Sequence, residues 1–196
     1  LLKTRNYPLN LPNIITIARI LLIPVFVIIF LMANSWSYWL AASMFALAAA
    51  TDWLDGYLAR KLNQTTPFGA FIDPVADKLI VVSALVILIA HHNSIWLTLP
   101  SLVIIGREIV ISALREWMAE MNDSVTIAVS HLGKIKTTLQ MVAITMLLSY
   151  PPVFSSLWVQ GGYLMLYLAA VMTLWSMTQY LRAAWPSLSR GLHSKD

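Results

Sequence analysis

Apolar segments that are long enough to cross a lipid bilayer recur along the whole chain, and they constrain its fold more than any other feature. A helix needs about 20 predominantly apolar residues to span the hydrocarbon core of a membrane. Of the 196 residues, 59% are hydrophobic and only 11% are charged, whereas a soluble domain carries about 25% charged residues. The sequence therefore predicts an all-α integral membrane protein with several spans.

The apolar pattern predicts six transmembrane helices in a single membrane-embedded domain that covers residues 1–196. Residues 1–13 form a polar lead that could lie in the membrane interface, and residues 182–196 form a polar, basic tail. We place His91 and His92 in the loop after the third span. The predicted spans are about 14–32, 38–59, 68–90, 96–118, 132–148 and 157–181.

Basic residues are distributed unequally among the predicted connections. The loops at 34–37, 91–95 and 149–156 contain no Lys or Arg. Cytoplasmic loops of membrane proteins carry an excess of these residues. The pattern therefore predicts that both termini lie in the cytosol. It also places there the loop around residue 64, together with the ends of the second and third spans that this loop connects. The net charge of +4 suits an anionic membrane face and anionic substrates. We predict no nucleic-acid partner, because no basic tract with interleaved aromatic residues is present.

Four of the nine acidic residues lie in residues 51–78, beside long apolar runs. Asp52 and Asp55 are spaced i, i+3, so on a helix they share one face. Asp73 and Asp77 are spaced i, i+4 and do the same. Four converging carboxylates would repel each other and are costly beside lipid. The pattern therefore predicts one or two bound divalent cations, and all-oxygen ligands favour Mg²⁺ or Mn²⁺.

Small residues and an arginine accompany these carboxylates. Gly56 and Ala59 follow Asp55, and Gly69 lies one turn before Asp73. Glycine inside a helix costs roughly 1 kcal/mol of stability relative to alanine, so its presence requires a reason. We expect that the small side chains leave space beside the carboxylates for a ligand or a second helix. Together with Arg60 and a metal, they indicate a site for a phosphorylated ligand. The alternative is that the carboxylates only cap helix ends and pair with nearby Arg and Lys.

Residues 52–77 fill the spacing D-x2-D-G-x2-A-R-x8-G-x3-D-x3-D at every defined position. This pattern resembles the signature of the CDP-alcohol phosphotransferase family. That resemblance implies a six-helix membrane bundle, usually a homodimer, that uses divalent metal ions. The residues that match the signature are Asp52, Asp55, Gly56, Ala59, Arg60, Gly69, Asp73 and Asp77.

A second pattern, N-x2-T-x2-R, lies at the start of the first predicted span and is also similar to the family. It is filled by Asn13, Thr16 and Arg19, which form one stripe on a helix. In the family this segment approaches the nucleotide. The alternative is that Asn13 is simply the N-cap of the first helix.

Several cations lie in and beside the fourth and fifth predicted spans. Arg107 lies about half-way along the fourth span, where a lone charge is expensive, and Arg115 lies about two turns later on the same side. We expect that Glu108 does not share the face of Arg107 closely. Lys134 and Lys136 stand at the start of the fifth span. One interpretation is that these four cations bind the phosphate of an acceptor substrate. The alternative is that their side chains only extend to the membrane surface and form local ion pairs.

Residues 106–120 and 131–143 extend the resemblance to the bacterial branch of the family that makes phosphatidylglycerophosphate. That likeness implies transfer of a phosphatidyl group from CDP-diacylglycerol to sn-glycerol 3-phosphate, with release of CMP, at the cytosolic face of a bacterial inner membrane. It also implies that Asp77 is the general base, besides being one of four metal-binding aspartates. The implied CDP contacts are Asn13, Thr16, Asp52, Asp55, Gly56, Ala59, Arg60, Gly69 and Asp73.

Other functions remain open at this point. Within the family, the acceptor could instead be serine, inositol phosphate or phosphatidylglycerol, although the basic residues Arg107, Lys134 and Lys136 favour an acceptor that carries phosphate. Outside the family, intramembrane Asp and Arg residues could form the ion pathway of a transporter. A transporter favours carboxylates at several depths of the bilayer, whereas here they cluster at one face.

Overall fold

The computed structural model describes residues 11–61, 67–120 and 131–193, and in these ranges it contains helices and no strand. Side chains are described there except at 11–12, 52–61, 70, 119–120, 131–134 and 186–193. The helices are α1 (Leu11–Leu31), α2 (Ser35–Lys61), α3 (Pro67–His92), α4 (Ile95–Glu120), α5 (His131–Leu148) and α6 (Leu157–His193).

Three of these helices are long and apolar enough to cross a membrane. The qualifying segments are Asn13–Leu31 in α1, Ile95–Met118 in α4 and Leu157–Trp185 in α6. Large apolar side chains such as Leu21, Ile109 and Leu164 are well exposed on them, which suits contact with lipid tails. The prediction of an all-α membrane protein is thus confirmed, while the count of six spans stays a prediction. Helix α6 also continues beyond residue 181, the predicted end of the last span, into the predicted tail.

The chain divides into two compact units. The first comprises Leu1–His92 and Ile144–Gln160. Within it, α1 packs against both α2 and α3, and Phe26 of α1 meets Phe45 of α2 edge to face, with ring centroids 6.3 Å apart. The second comprises Asn93–Ala143 and Gly161–Asp196. Within it, Leu114 and Met118 of α4 pack in one cluster with Ala184 of α6.

The junction between α3 and α4 differs from the prediction, which placed both histidines in a loop. Helix α3 ends at His92, and the turn begins with Asn93, whose φ is +44°. Asparagine tolerates this left-handed conformation and commonly follows the end of a helix. His91 lies 5.0 Å from the ring of Phe30, and its Nε2 lies 3.0 Å from the hydroxyl of Tyr38. His91 is therefore a packing residue of the first unit.

Candidate active site

The carboxylates of Asp73 and Asp77 project from the first turns of α3. The helix begins at Pro67, and proline is favoured in a first helical turn, where its missing N–H costs nothing. The two aspartates lie four residues apart and so share a face, and the buried Gly69 lies one turn before Asp73. Both side chains are accessible in part, and that of Asp77 is 45% exposed. We call Asp73 and Asp77 the carboxylate pair.

A buried polar stripe on α1 meets this carboxylate pair. Asn13, Thr16 and Arg19 are at most 4% exposed on a helix that is otherwise apolar. The Thr16 hydroxyl donates to Oδ1 of Asp73 at 2.6 Å, and Nη1 of Arg19 donates to Oδ1 of Asp77 at 2.7 Å. The two sequence patterns that resemble the family are therefore joined side chain to side chain.

The structure also changes the interpretation of two residues in the stripe. Helix α1 begins at Leu11, so Asn13 lies inside the first turn and the alternative that it is only an N-cap is wrong. The pairing of Arg19 with Asp77 was missed by the sequence analysis. A single arginine in an apolar segment is a signal of a buried counter-charge, but nothing local in the sequence identifies the partner.

The other half of the aspartate pattern lies on α2. This helix continues through Asp52 and Asp55 to Lys61, so the spacing does place those two residues on one helical face. Their side chains lie outside the described residues, as do those of Ala59 and Arg60, and Gly56 belongs to the same segment. The predicted contacts of this half stay predictions.

The described carboxylates fit a divalent cation by their chemistry. Asp73 and Asp77 offer oxygen ligands from one partly exposed face, and Mg²⁺ and Mn²⁺ prefer such ligands. Within the described part of the chain, no group of three or more His, Asp or Glu residues is arranged for a metal ion. The predicted set of four includes Asp52 and Asp55, whose side chains are not described, so the four-ligand metal site stays a prediction.

In the second unit, a cluster of charges joins α4 to α5. Nη1 of Arg107 lies 2.8 Å from Oε1 of Glu108, and Nζ of Lys136 lies 4.0 Å from the same oxygen. Adjacent residues do not share a helical face, but these two long side chains turn toward each other, and this ion pair was not predicted. Arg115 is exposed on α4, and its guanidinium lies 5.6 Å from the centre of the Tyr180 ring.

This cation cluster, namely Arg107 and Lys136 with Glu108, carries more positive than negative charge. Arg107 and Lys136 are largely buried, with side chains 13% and 7% exposed. Nε of Arg107 is buried and has no hydrogen-bond partner among the described residues. One carboxylate cannot balance these two buried cations, so the cluster is suited to bind an anion such as a phosphate. Lys134 precedes Lys136 by two residues on α5, but its side chain lies outside the described residues.

Comparison with known proteins agrees with the family that the two sequence patterns resemble. The model of a family described as CDP-alcohol phosphatidyltransferase matches residues 9–175. The chain is 58% identical over 181 residues to the CDP-diacylglycerol–glycerol-3-phosphate 3-phosphatidyltransferase of Pseudomonas fluorescens, across 92% of each protein. It is 52% identical over 176 residues to the protein of the same name from Escherichia coli strain K12, across 89% of this chain and 94% of that one. The chain therefore belongs to the CDP-alcohol phosphatidyltransferase family of enzymes.

Proposed function

We propose that the protein transfers the phosphatidyl group of CDP-diacylglycerol to sn-glycerol 3-phosphate, giving phosphatidylglycerophosphate and CMP. Two relatives that share 52% and 58% of their aligned residues with it carry the name of that activity. The structural observation that carries the proposal is the surplus of buried positive charge around Arg107 and Lys136. An acceptor that bears a phosphate matches this cluster, whereas serine carries no phosphate.

The reaction is a displacement at phosphorus. Asp77, whose carboxylate is accessible, accepts the proton of the primary hydroxyl of the acceptor. The hydroxyl oxygen attacks the phosphorus that carries the diacylglycerol, and the bond from that phosphorus to the oxygen of CMP breaks. Mg²⁺ or Mn²⁺ bound by Asp52, Asp55, Asp73 and Asp77 would neutralise the diphosphate and the charge that develops on the leaving CMP.

The remaining residues of the two motifs are proposed to surround the CDP moiety. Gly56, Ala59 and Gly69 leave space beside the carboxylates, and Arg60 supplies a positive charge. In α1, Asn13 is the proposed direct contact. The hydroxyl of Thr16 is bonded to Asp73, so its contribution to CDP binding passes through that carboxylate.

The proposed function is tested by following CMP release from CDP-diacylglycerol with a panel of acceptors. The purified protein is given glycerol 3-phosphate, inositol phosphate, serine and phosphatidylglycerol in separate reactions with Mg²⁺. We expect rapid release of CMP with glycerol 3-phosphate only. Preferential release with serine or phosphatidylglycerol would overturn the proposed acceptor, and no release with any acceptor would overturn the proposed activity.

Arg107→Ala should weaken binding of the acceptor. We propose that Arg107, Arg115, Lys134 and Lys136 hold the phosphate of glycerol 3-phosphate. A hydrogen bond to a charged group contributes about 1.5–3 kcal/mol, so the KM for glycerol 3-phosphate should rise roughly 10- to 100-fold. The KM for CDP-diacylglycerol should change less than about twofold. The control is Arg182→Ala, which removes an exposed arginine of α6. Equal changes in both KM values would contradict the assignment.

We also propose six spans, with both termini and the active site in the cytosol of a bacterial inner membrane. The chain has no cysteine, so single cysteines can be introduced directly. Cysteine at Val153, which is exposed between α5 and α6, should react with an impermeant maleimide on intact spheroplasts. Cysteine at Gln64 should react only after permeabilisation. Asn93 is a poorer labelling site, because its positive φ would strain a cysteine. The reverse labelling pattern would contradict the proposed orientation.

The resemblance to the family further implies that two metal ions bind and that the protein is a homodimer with one membrane domain per chain. Both stay predictions for this protein. Light scattering of the purified protein, corrected for bound detergent, would distinguish a dimer from a monomer. Titration of the metal-free protein with Mn²⁺ would count the bound ions.

A further inference from the structure

The donors that hold the carboxylate pair are much more deeply buried than the carboxylates themselves. The Arg19 side chain is 2% exposed, whereas the Asp77 side chain is 45% exposed. Thr16 is 1% exposed, and Asp73 is accessible in part. The two carboxylates are thus partly accessible from outside, while the hydroxyl and the guanidinium reach them from the interior of the first unit.

Each donor engages a different carboxylate by a short bond. The Thr16 bond to Asp73 is 2.6 Å long, and the Arg19 bond to Asp77 is 2.7 Å long; charge-assisted bonds of this length are among the stronger ones in proteins. Thr16 and Arg19 lie three residues apart, so both project from one face of α1. One helix therefore restrains both aspartates through separate contacts.

We propose that Thr16 and Arg19 are positioning residues: Thr16 orients the Asp73 carboxylate for metal binding, and Arg19 orients the Asp77 carboxylate for proton transfer. This inference rests on the proposed function of the site. The stripe resembles a segment that approaches the nucleotide, but the side chains of Thr16 and Arg19 are directed at protein carboxylates.

Replacement of Thr16 should mainly weaken metal binding, whereas replacement of Arg19 should mainly lower kcat. Partners that orient a metal ligand typically affect metal affinity 10- to 100-fold. Thr16→Val keeps the shape but loses the hydroxyl, so the Mn²⁺ dissociation constant of the protein should rise at least about 10-fold, and saturating metal should restore most of the activity. A misplacement of a reacting group by about 1 Å can cost roughly 100-fold in rate. Arg19→Ala should therefore lower kcat about 100-fold even at saturating metal and substrates.

Conservative variants separate positioning from a merely structural role. Thr16→Ser keeps the hydroxyl and should restore Mn²⁺ affinity to within about threefold. Arg19→Lys keeps the charge but loses the planar fork, so its kcat should lie between those of Arg19→Ala and the unaltered protein. The matched control for Thr16→Val is Thr98→Val, because the Thr98 hydroxyl donates to the backbone carbonyl of Ser94, the residue just before α4. Thr98→Val should leave Mn²⁺ affinity unchanged.

The experiment measures Mn²⁺ binding to metal-free protein by electron paramagnetic resonance, together with kcat and both KM values. A rise in the KM for CDP-diacylglycerol with unchanged kcat in Arg19→Ala would show a nucleotide contact and overturn the inference. Unchanged Mn²⁺ affinity in Thr16→Val would overturn the role of Thr16. If the unaltered protein releases no CMP with glycerol 3-phosphate, the proposed function fails, and Mn²⁺ affinity still decides whether Thr16 orients Asp73.

Discussion

Asp77→Asn should lower kcat at least about 100-fold while binding of CDP-diacylglycerol persists. A general base typically contributes about 10²- to 10⁴-fold to a rate, and asparagine cannot accept a proton at neutral pH. Binding should persist because the other proposed ligands, Asp52, Asp55 and Asp73, would still provide carboxylates for the metal. The measurement is kcat at saturating Mg²⁺ and both substrates, together with a direct binding assay for CDP-diacylglycerol.

Asparagine is preferable to alanine at this position because of the buried arginine behind it. Removing one partner of a buried ion pair costs about 3–5 kcal/mol, and the cost here should be smaller because Asp77 is nearly half exposed. Asparagine retains an oxygen that can accept the Arg19 hydrogen bond, so Asp77→Asn should stay folded. Thermal unfolding of Asp77→Asn and Asp77→Ala, measured beside activity, separates loss of stability from loss of chemistry.

Asp77 is also a proposed metal ligand, so its replacement could raise the metal requirement instead of removing a base. A matrix of Mg²⁺ and glycerol 3-phosphate concentrations distinguishes the two effects. A lost base leaves kcat low at every metal concentration, whereas a lost ligand is compensated by more metal. Near-normal turnover of Asp77→Asn at saturating metal would mean that another group accepts the proton.

Removal of divalent metal should abolish CMP release altogether. Without a cation, four carboxylates and the diphosphate of CDP-diacylglycerol would bring like charges together in one site, and the charge on the leaving CMP would lack compensation. The protein is treated with excess EDTA, passed into metal-free buffer and assayed before and after addition of Mg²⁺ or Mn²⁺. Activity should fall to background and return with either ion.

The control for this experiment distinguishes loss of the metal from loss of the fold. The helical circular dichroism and the thermal transition of the EDTA-treated protein should show that it remains folded, and Ca²⁺ added at the same concentration tests whether the smaller octahedral ions are preferred. Full activity of the metal-free protein would contradict the proposed role of the aspartates as metal ligands.

Features that depend on neighbours along the chain could be predicted from the sequence. The lengths of apolar runs predicted the all-helical membrane protein, and helix α1 begins within a few residues of the predicted first span. The spacing of Asp73 and Asp77 placed them on one face, because a helix repeats every 3.6 residues. The fixed spacing of residues 52–77 also led to the family that the comparisons show.

Some local features were nevertheless predicted incorrectly. The histidines at 91 and 92 were placed in a loop, but the helix continues to His92 and the turn starts with Asn93. His91 instead lies in the last turn of α3, where its ring contacts the hydroxyl of Tyr38 and packs on Phe30. A polar side chain can pack between helices when a partner from another helix supplies its hydrogen bond.

The sequence by itself determined the helices, their apolar faces and the set of charged residues available for chemistry, since all of these follow from composition and spacing over a few turns. Only the tertiary structure decided which charges meet. Thr16 and Asp73 are 57 residues apart and Arg19 and Asp77 are 58 apart, and Lys136 reaches Glu108 from a different helix. Such pairs depend on which helices pack together and at what depth. A buried charge requires a partner, but that requirement alone does not say which of several carboxylates provides it.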